Sequence, residues 1–316
     1  MPFLIFFAVL LVLLVTAFLI LRWCYGQAFY QPNGKKYLDP YTFPPSPTSA
    51  FCKAPMHRLI DELKACPYEE VTILSHDGLR LYGQFYRFSD QNRLEILFHG
   101  WRSNGLRDSC GGAKMARDAG YNLLIVDQRA HGKSEGSALS FGILEKYDCL
   151  SWVNYAVERF GADVRILLGG VSMGASTVLM ASALELPPQV RGITADCGYS
   201  SPEAILRKVC RDRGIPDRLG YPFLAMSARL FGGFRLDPKD SAVEAVRHAK
   251  VPVMIMHGEA DEFVPFEMCH EIFDACAAPE KELVTIPNAE HGMSYFFDTE
   301  TYSRRVVAFK VRALES

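Results

Sequence analysis

Strong net charge is missing from this chain, and with it one class of partner. Its 34 lysines and arginines stand against 36 acids, a formal balance of −2, and no basic stripe interleaves with aromatics, so nucleic acid is excluded as a partner. Paired cysteines are missing as well. The nine cysteines are odd in number and scattered without C-x-x-C spacing, which excludes a disulfide framework and any zinc or redox motif built on them. Reduced thiols fit this pattern. With 49% apolar and 22% charged residues over 316 positions, the composition also excludes extended disorder and fibrous repeats, and suits one large domain with an appendage.

Charge is wholly absent from Phe3 to Leu21, "FLIFFAVLLVLLVTAFLIL", enough helix to cross a hydrocarbon core of roughly 30 Å. Residues 1–25 are therefore expected to form a single-pass membrane anchor. A cleaved signal peptide would carry a basic start and a shorter apolar core, whereas only Met1 and Pro2 come first, although Gly26-Gln27-Ala28 leaves a small-x-small alternative. Cys24 lacks the small residues of a lipid-attachment box. Arg22, Lys35 and Lys36 all follow the span and none precedes it, so charge bias, like the unpaired cysteines, favours a cytoplasmic domain at the cell membrane.

Residues 26–50, rich in proline and without periodicity, are expected to be an extended linker. The domain then occupies 51–316. It opens on a short amphipathic helix, "MHRLIDELKAC", with Leu59, Ile60, Leu63 and Cys66 on one face. Eight strand-like runs follow, at 70–74, 79–88, 93–100, 121–127, 164–171, 190–196, 251–258 and 281–287. The "SHDG" turn at 75–78 joins the first two as a hairpin, and the later runs are almost wholly apolar, as parallel strands covered on both faces must be. This pattern predicts one α/β domain, mostly parallel with an antiparallel start. Between the sixth and seventh runs lie about fifty residues, beyond the dozen or so of a simple crossover. Residues 198–250 are accordingly expected to hold extra helices, "PEAILRKVCRDRG" and "YPFLAMSARLFGGF" among them.

In such sheets ligands bind beyond the carboxyl ends of the strands. There the chain reads His99-Gly100-Trp101, "DQRAHGKSEG" from Asp127, "GGVSMGAST" around Ser172, "HGEADEFVP" from His257 and "NAEHG" ending at Gly292. This constellation, over roughly 68–313, resembles the α/β-hydrolase fold of serine esterases and of prolyl-oligopeptidase-like catalytic domains. The resemblance implies an eight-stranded, mostly parallel sheet with helices on both faces and a helical lid between strands 6 and 7. It makes Ser172 the nucleophile on a tight strand-to-helix turn, where Gly170 and Gly174 remove bulk and the helix over 173–186 directs its N-terminal amides at a developing oxyanion. It places the base in the loop after the last strand, at His291, and the acid after the strand before, where Asp261 is preferred to its neighbours Glu259 and Glu262. Backbone N–H groups of Met173 and Trp101 are the implied oxyanion donors. Trp101 either walls an acyl site or packs beneath the lid, and Tyr221 and Phe223 are further candidates for substrate contact. The "DQRAHGKSEG" loop is expected to be scaffold.

The reaction so implied is acyl transfer to water through an acyl-enzyme, with a small-molecule acyl substrate and no metal or organic cofactor. Ester cleavage is the leading expectation; peptidase, amidase or acyl-thioesterase activity is the alternative within the fold. A non-catalytic ligand-binding role is the alternative from another class, though such proteins usually lack a triad member. Composition and motifs leave the natural substrate and the oligomeric state open.

Overall fold

In a computed structural model the described residues are 1–31, 39–42 and 50–315. Eight strands form one sheet in the order β1-β2-β4-β3-β5-β6-β7-β8. The strands are β1 (Glu69–Leu74), β2 (Arg80–Tyr86), β3 (Arg93–Phe98), β4 (Asn122–Val126), β5 (Arg165–Val171), β6 (Val190–Asp196), β7 (Val253–Gly258) and β8 (Lys281–Ile286). β2 is antiparallel to both neighbours and every pair from β4 to β8 is parallel. This is the expected α/β sheet with its antiparallel start. The hairpin turn closes through Ser75, whose N–H donates to Leu79 O and whose Oγ accepts from Leu79 N–H.

Strand periodicity builds two cores at once. Ile96, Phe98, Leu124 and Val126 face one side, together with Trp152 of α4 (Glu145–Phe160) and Val178 of α5 (Met173–Ala181). Their neighbours Leu97, Leu123 and Ile125 face the other, against Leu63 of α2 (Lys53–Ala65), Ala113 of α3 (Gly105–Asp118) and Phe309 of α11 (Thr299–Glu315). Alternation by two residues on strands buried on both faces accounts for the near-continuous apolar runs. The helix expected to reach 186 ends at Ala181, where the Ser182 hydroxyl turns back onto Leu179 O.

The segment between β6 and β7 holds α6 (Pro202–Asp212), α7 (Asp217–Ser227) continuing into a π-helical turn (Ala228–Gly232), and α8 (Ala242–Val246). Farther along stand α9 (Glu267–Ala275) and α10 (Ser294–Phe297). The expected linker requires correction at its start. α1 (Pro2–Ala28) runs through residues 26–28, and Phe29 behind it is fully buried. Its ring lies 5.7 Å from Phe141 and 5.5 Å from Phe234, while Tyr30 pairs with Ala138. Aromatic burial thus fastens the end of α1 to the domain where the prolines downstream suggested a spacer. The rest of that expectation falls largely on 32–38 and 43–49, outside the described residues.

One polar pair crosses the second core: Lys310 Nζ donates to Glu95 Oε1 at 2.5 Å, both side chains almost fully buried. Removing one partner leaves a buried charge alone, which costs about 3–5 kcal/mol. Lys310→Met is expected to lower the thermal midpoint sharply, and the double variant Glu95→Leu/Lys310→Met to recover most of the loss in the same melt.

Candidate active site

The serine stands on a turn that admits no side chain at Gly170 or Gly174. Ser172, between β5 and α5, has φ 55° and ψ −117°, a positive φ that costs a non-glycine residue on the order of 1–3 kcal/mol. Two backbone hydrogen bonds hold it there: Ser172 N–H donates to Asp196 O and Ser176 N–H to Ser172 O. A Cβ on Gly170 would stand 2.3 Å from the Gly174 carbonyl, and one on Gly174 would stand 2.1 Å from Phe98 O. The flanking glycines are therefore demanded by contact of α5's first turn with β5 and β3.

Ser172, His291 and Asp261, 119 and 30 residues apart along the chain, meet in one hydrogen-bonded row. His291 Nε2 lies 2.9 Å from Ser172 Oγ, and His291 Nδ1 lies 2.7 Å from Asp261 Oδ2. The N–H groups of Phe263 and Val264 donate to Asp261 Oδ1 at 2.9 and 2.8 Å. Burial alone would raise this carboxyl, but His291 and His257 beside it prevail and hold it well below the usual carboxylate range. An ionised carboxylate only accepts, so Nδ1 of His291 carries the proton and the Nε2 lone pair is left to the serine hydroxyl. The two loops are tied together as Ala260 N–H donates to Ala289 O and Glu259 N–H to Ile286 O. The alternative acids point elsewhere, Glu259 accepting from Thr285 Oγ1 and Glu262 standing exposed.

Behind the row lie groups that neither composition nor spacing singled out. Asp196, at the end of β6, accepts from Tyr302 OH and Ser294 Oγ at 3.0 and 3.2 Å, and burial raises its carboxyl. Cys197 sits close enough to share a cluster with Asp261 and His291. Its thiol is pushed far up by burial first and by the two aspartates next, so it stays protonated and unreactive. Signals for these positions exist only in three dimensions, because α10 and α11 come to β6 from the far end of the chain.

Met173 and Trp101 present backbone N–H groups that have no acceptor among the described residues. The loop bearing Trp101 lies against the serine, since a Cβ on Gly100 would stand 3.3 Å from Ser172 Cβ. Histidines brace that loop. His99 Nε2 accepts from Gln128 N–H, and His131 Nε2 accepts from Arg102 N–H, each Nδ1 being left to a backbone carbonyl. Burial, then the neighbouring His99, holds His131 well below its usual range and keeps it a neutral acceptor. Arg129 in the same stretch binds Asp148 and Asp77, so both carboxylates grouped with His76 already share a cationic partner. "DQRAHGKSEG" is thus scaffold, as its sequence suggested.

The three candidates for substrate contact, Trp101, Tyr221 and Phe223, have distinct surroundings. The indole of Trp101 turns to α1 and donates to Ala28 O at 3.2 Å, and Arg102 Nη2 donates to Gly26 O and Tyr30 O at 3.2 and 2.9 Å. These bonds satisfy carbonyls that a helix end leaves without partners. Tyr221 is drawn into the seam with α6, beneath the Arg207 guanidinium at 4.2 Å, while Phe223 stands on the outer side of α7. A cavity of about 270 Å³ lies between the start of α6 and residues 236–243, with no triad member in its lining.

With this geometry, comparison with known proteins is specific. A family described as alpha/beta hydrolase fold matches residues 96–211, and one described as serine aminopeptidase, S33, matches 226–300. The esterase PF2001 of Pyrococcus furiosus superposes with a TM-score of 0.66 at 24% identity, covering 80% of this chain and 94% of that one. The uncharacterised protein YqkD of Bacillus subtilis is 26% identical over 254 residues, 80% of this chain and 82% of its own. The lysophosphatidylserine lipase ABHD12 of Danio rerio is 27% identical over 172 residues, 52% of this chain and 42% of its own. The chain has the α/β-hydrolase fold.

Gly174→Ala is expected to lower the thermal midpoint by the equivalent of about 1–3 kcal/mol, the range of overpacked cores, because Phe98 O is backbone and cannot swing aside. Asp261 generates a pH dependence as well. Its depressed folded value makes its charge stabilising at pH above the ordinary carboxylate value of about 4, and that contribution is lost as pH falls through the lower folded value. Acid unfolding followed by circular dichroism is expected to be less steep in Asp261→Asn than in the parent protein.

Proposed function

We propose that this protein is a membrane-anchored serine hydrolase that cleaves carboxylic esters of acyl substrates. The row Ser172–His291–Asp261, beside the Gly100–Trp101 loop and the start of α5, is the observation that carries this reading. His291 takes the proton of Ser172 as Oγ attacks the acyl carbonyl, the N–H groups of Met173 and Trp101 receive the oxyanion, and Asp261 steadies the imidazolium. His291 then protonates the leaving alkoxide and activates the water that releases the acid. An alkoxide leaves more readily than an amine, and similarity to the Pyrococcus esterase and the Danio rerio lipase supports ester chemistry.

The position of the site supports a lipid-like acyl substrate. α1 is long and apolar enough to cross a membrane, and Ala28, which receives the Trp101 indole, lies seven residues past Leu21, about 10 Å of helix rise. The loop bearing an oxyanion donor is therefore held near the headgroup layer. Arg22 just after the apolar run and nine free cysteines support a cytoplasmic catalytic domain. Amide cleavage is the second reading, favoured by the match of 226–300 to the serine aminopeptidase family.

A fluorophosphonate probe is expected to label the full-length protein in detergent and to leave Ser172→Ala unlabelled. The same pair, given p-nitrophenyl esters of increasing chain length and an aminoacyl anilide, is expected to show serine-dependent ester turnover that exceeds amide turnover. Absence of labelling in a folded sample overturns the hydrolase reading, and faster amide turnover overturns the ester reading.

A further inference from the structure

The helix that follows α6 has two apolar faces, and only one is used inside the protein. Tyr221, Ser227 and Ala228 are buried on the inner side, while Leu219, Pro222, Phe223, Met226 and Leu230 stand outside. Their spacing of three and four residues places them on one stripe of α7 and its π-helical continuation. The four large side chains among them are 43–60% exposed. A contiguous apolar face of this kind is uncommon on a protein surface that meets only water.

The neighbour of this stripe indicates what covers it. α7 and the π-helical turn pack along α1 at a definite height: the Phe231 ring lies 5.6 Å from Phe18 and 5.7 Å from Tyr25. Phe18 belongs to the uncharged run that ends at Leu21. The turn at Phe231 therefore stands at the end of that run, between Phe18, about 4.5 Å of helix rise inside it, and Tyr25, about 6 Å beyond it. An element alongside a membrane helix at that height shares its environment. Arg22, over the Tyr30 ring at 5.1 Å, and the exposed Trp23 mark the start of the interfacial zone on α1. Charge agrees with this placement. From Arg218 to Leu236 there is no aspartate or glutamate, whereas Arg218, Arg229 and Arg235 are exposed, long enough to reach lipid phosphates while their stems lie on apolar surface.

We propose that the outer face of α7 and its π-helical turn, Leu219 to Leu230, is a second membrane contact, seated in the lipid of the leaflet from which α1 emerges. It is a shallow contact beside a span. The acyl chains and glycerol region of that leaflet cover the stripe, and anionic phosphates meet the arginines. This inference rests on the reading of α1 as a membrane span. It adds that the cap over residues 198–250 is fixed to the bilayer by its own surface as well as through α1.

Tryptophan quenching by brominated phospholipids tests both readings separately. Full-length protein carrying Met226→Trp, Leu230→Trp or, as a reference in α1, Val12→Trp is reconstituted into vesicles of phosphatidylcholine and phosphatidylglycerol brominated at shallow or deep chain positions. Emission is compared with that of the parent protein, whose own tryptophans give the background. The new tryptophan at 12 is expected to lose most of its added emission to deep bromines, and those at 226 and 230 to lose most of theirs to shallow ones. Quenching at 12 without quenching at 226 and 230 overturns the second contact and leaves the span standing. No quenching at 12 overturns the span, and the inference with it. Because two cap positions are read, failure of one variant to fold still leaves the other to decide. Triple replacement of Leu219, Met226 and Leu230 by serine is expected to leave fluorophosphonate labelling in detergent unchanged and to abolish the shallow protection of this helix in hydrogen exchange on vesicles.

Discussion

A backbone approach too close for any side chain governs the arrangement of the site. The carboxyl end of β3, the end of β5 and the first turn of α5 converge where a Cβ on Gly174 would meet Phe98 O at 2.1 Å. That contact sets where Ser172 leaves the sheet, and it brings the loop following β3, with Gly100 and Trp101, beside the serine. The unfavourable φ of Ser172 persists because a sheet buried on both faces cannot relax around it.

Around this contact, most of the polar side chains serve the backbone. His99 and His131 hold the Trp101 loop, His257 bonds to Val264 O, and Arg129 joins two carboxylates. Among the described histidines, only His291 bonds to the serine side chain. The difference follows from burial: His99 and His131 are enclosed by backbone carbonyls and amides, which fix their tautomers, whereas His291 stands on an open loop between a carboxylate and a hydroxyl. The same loop architecture couples the end of α1 to the site. The Trp101 and Arg102 side chains bind carbonyls at its end, while the Arg102 N–H donates to His131 Nε2.

Much of the fold was legible in sequence because its signals are local. Apolar runs of strand length, the "SHDG" turn and the glycines around Ser172 each depend on neighbours within a few residues. Strand ends differ from expectation by at most two residues, and α5 stops early at a serine that competes for its carbonyls. Ser172, Asp261 and His291 were legible only through the order of strands, a longer-range pattern. Asp196, Tyr302 and Ser294 were not, because an aspartate ending β6 and a tyrosine in α11 carry no shared motif.

The junction of α1 with the domain marks the boundary most clearly. Residues 26–31 read as a spacer because proline and glycine follow, yet Phe29 and Tyr30 are held by Phe141, Phe234 and Ala138, each more than a hundred residues away. Composition and periodicity by themselves determined an apolar N-terminal helix, an α/β sheet and a serine turn, since these rest on propensity and on spacing along the chain. The tertiary structure alone decided that Trp101 binds α1, that Tyr221 serves α6, and which face of α7 is left outside. Those outcomes depend on which surfaces meet across the fold, and contacts between distant segments leave no period in the sequence.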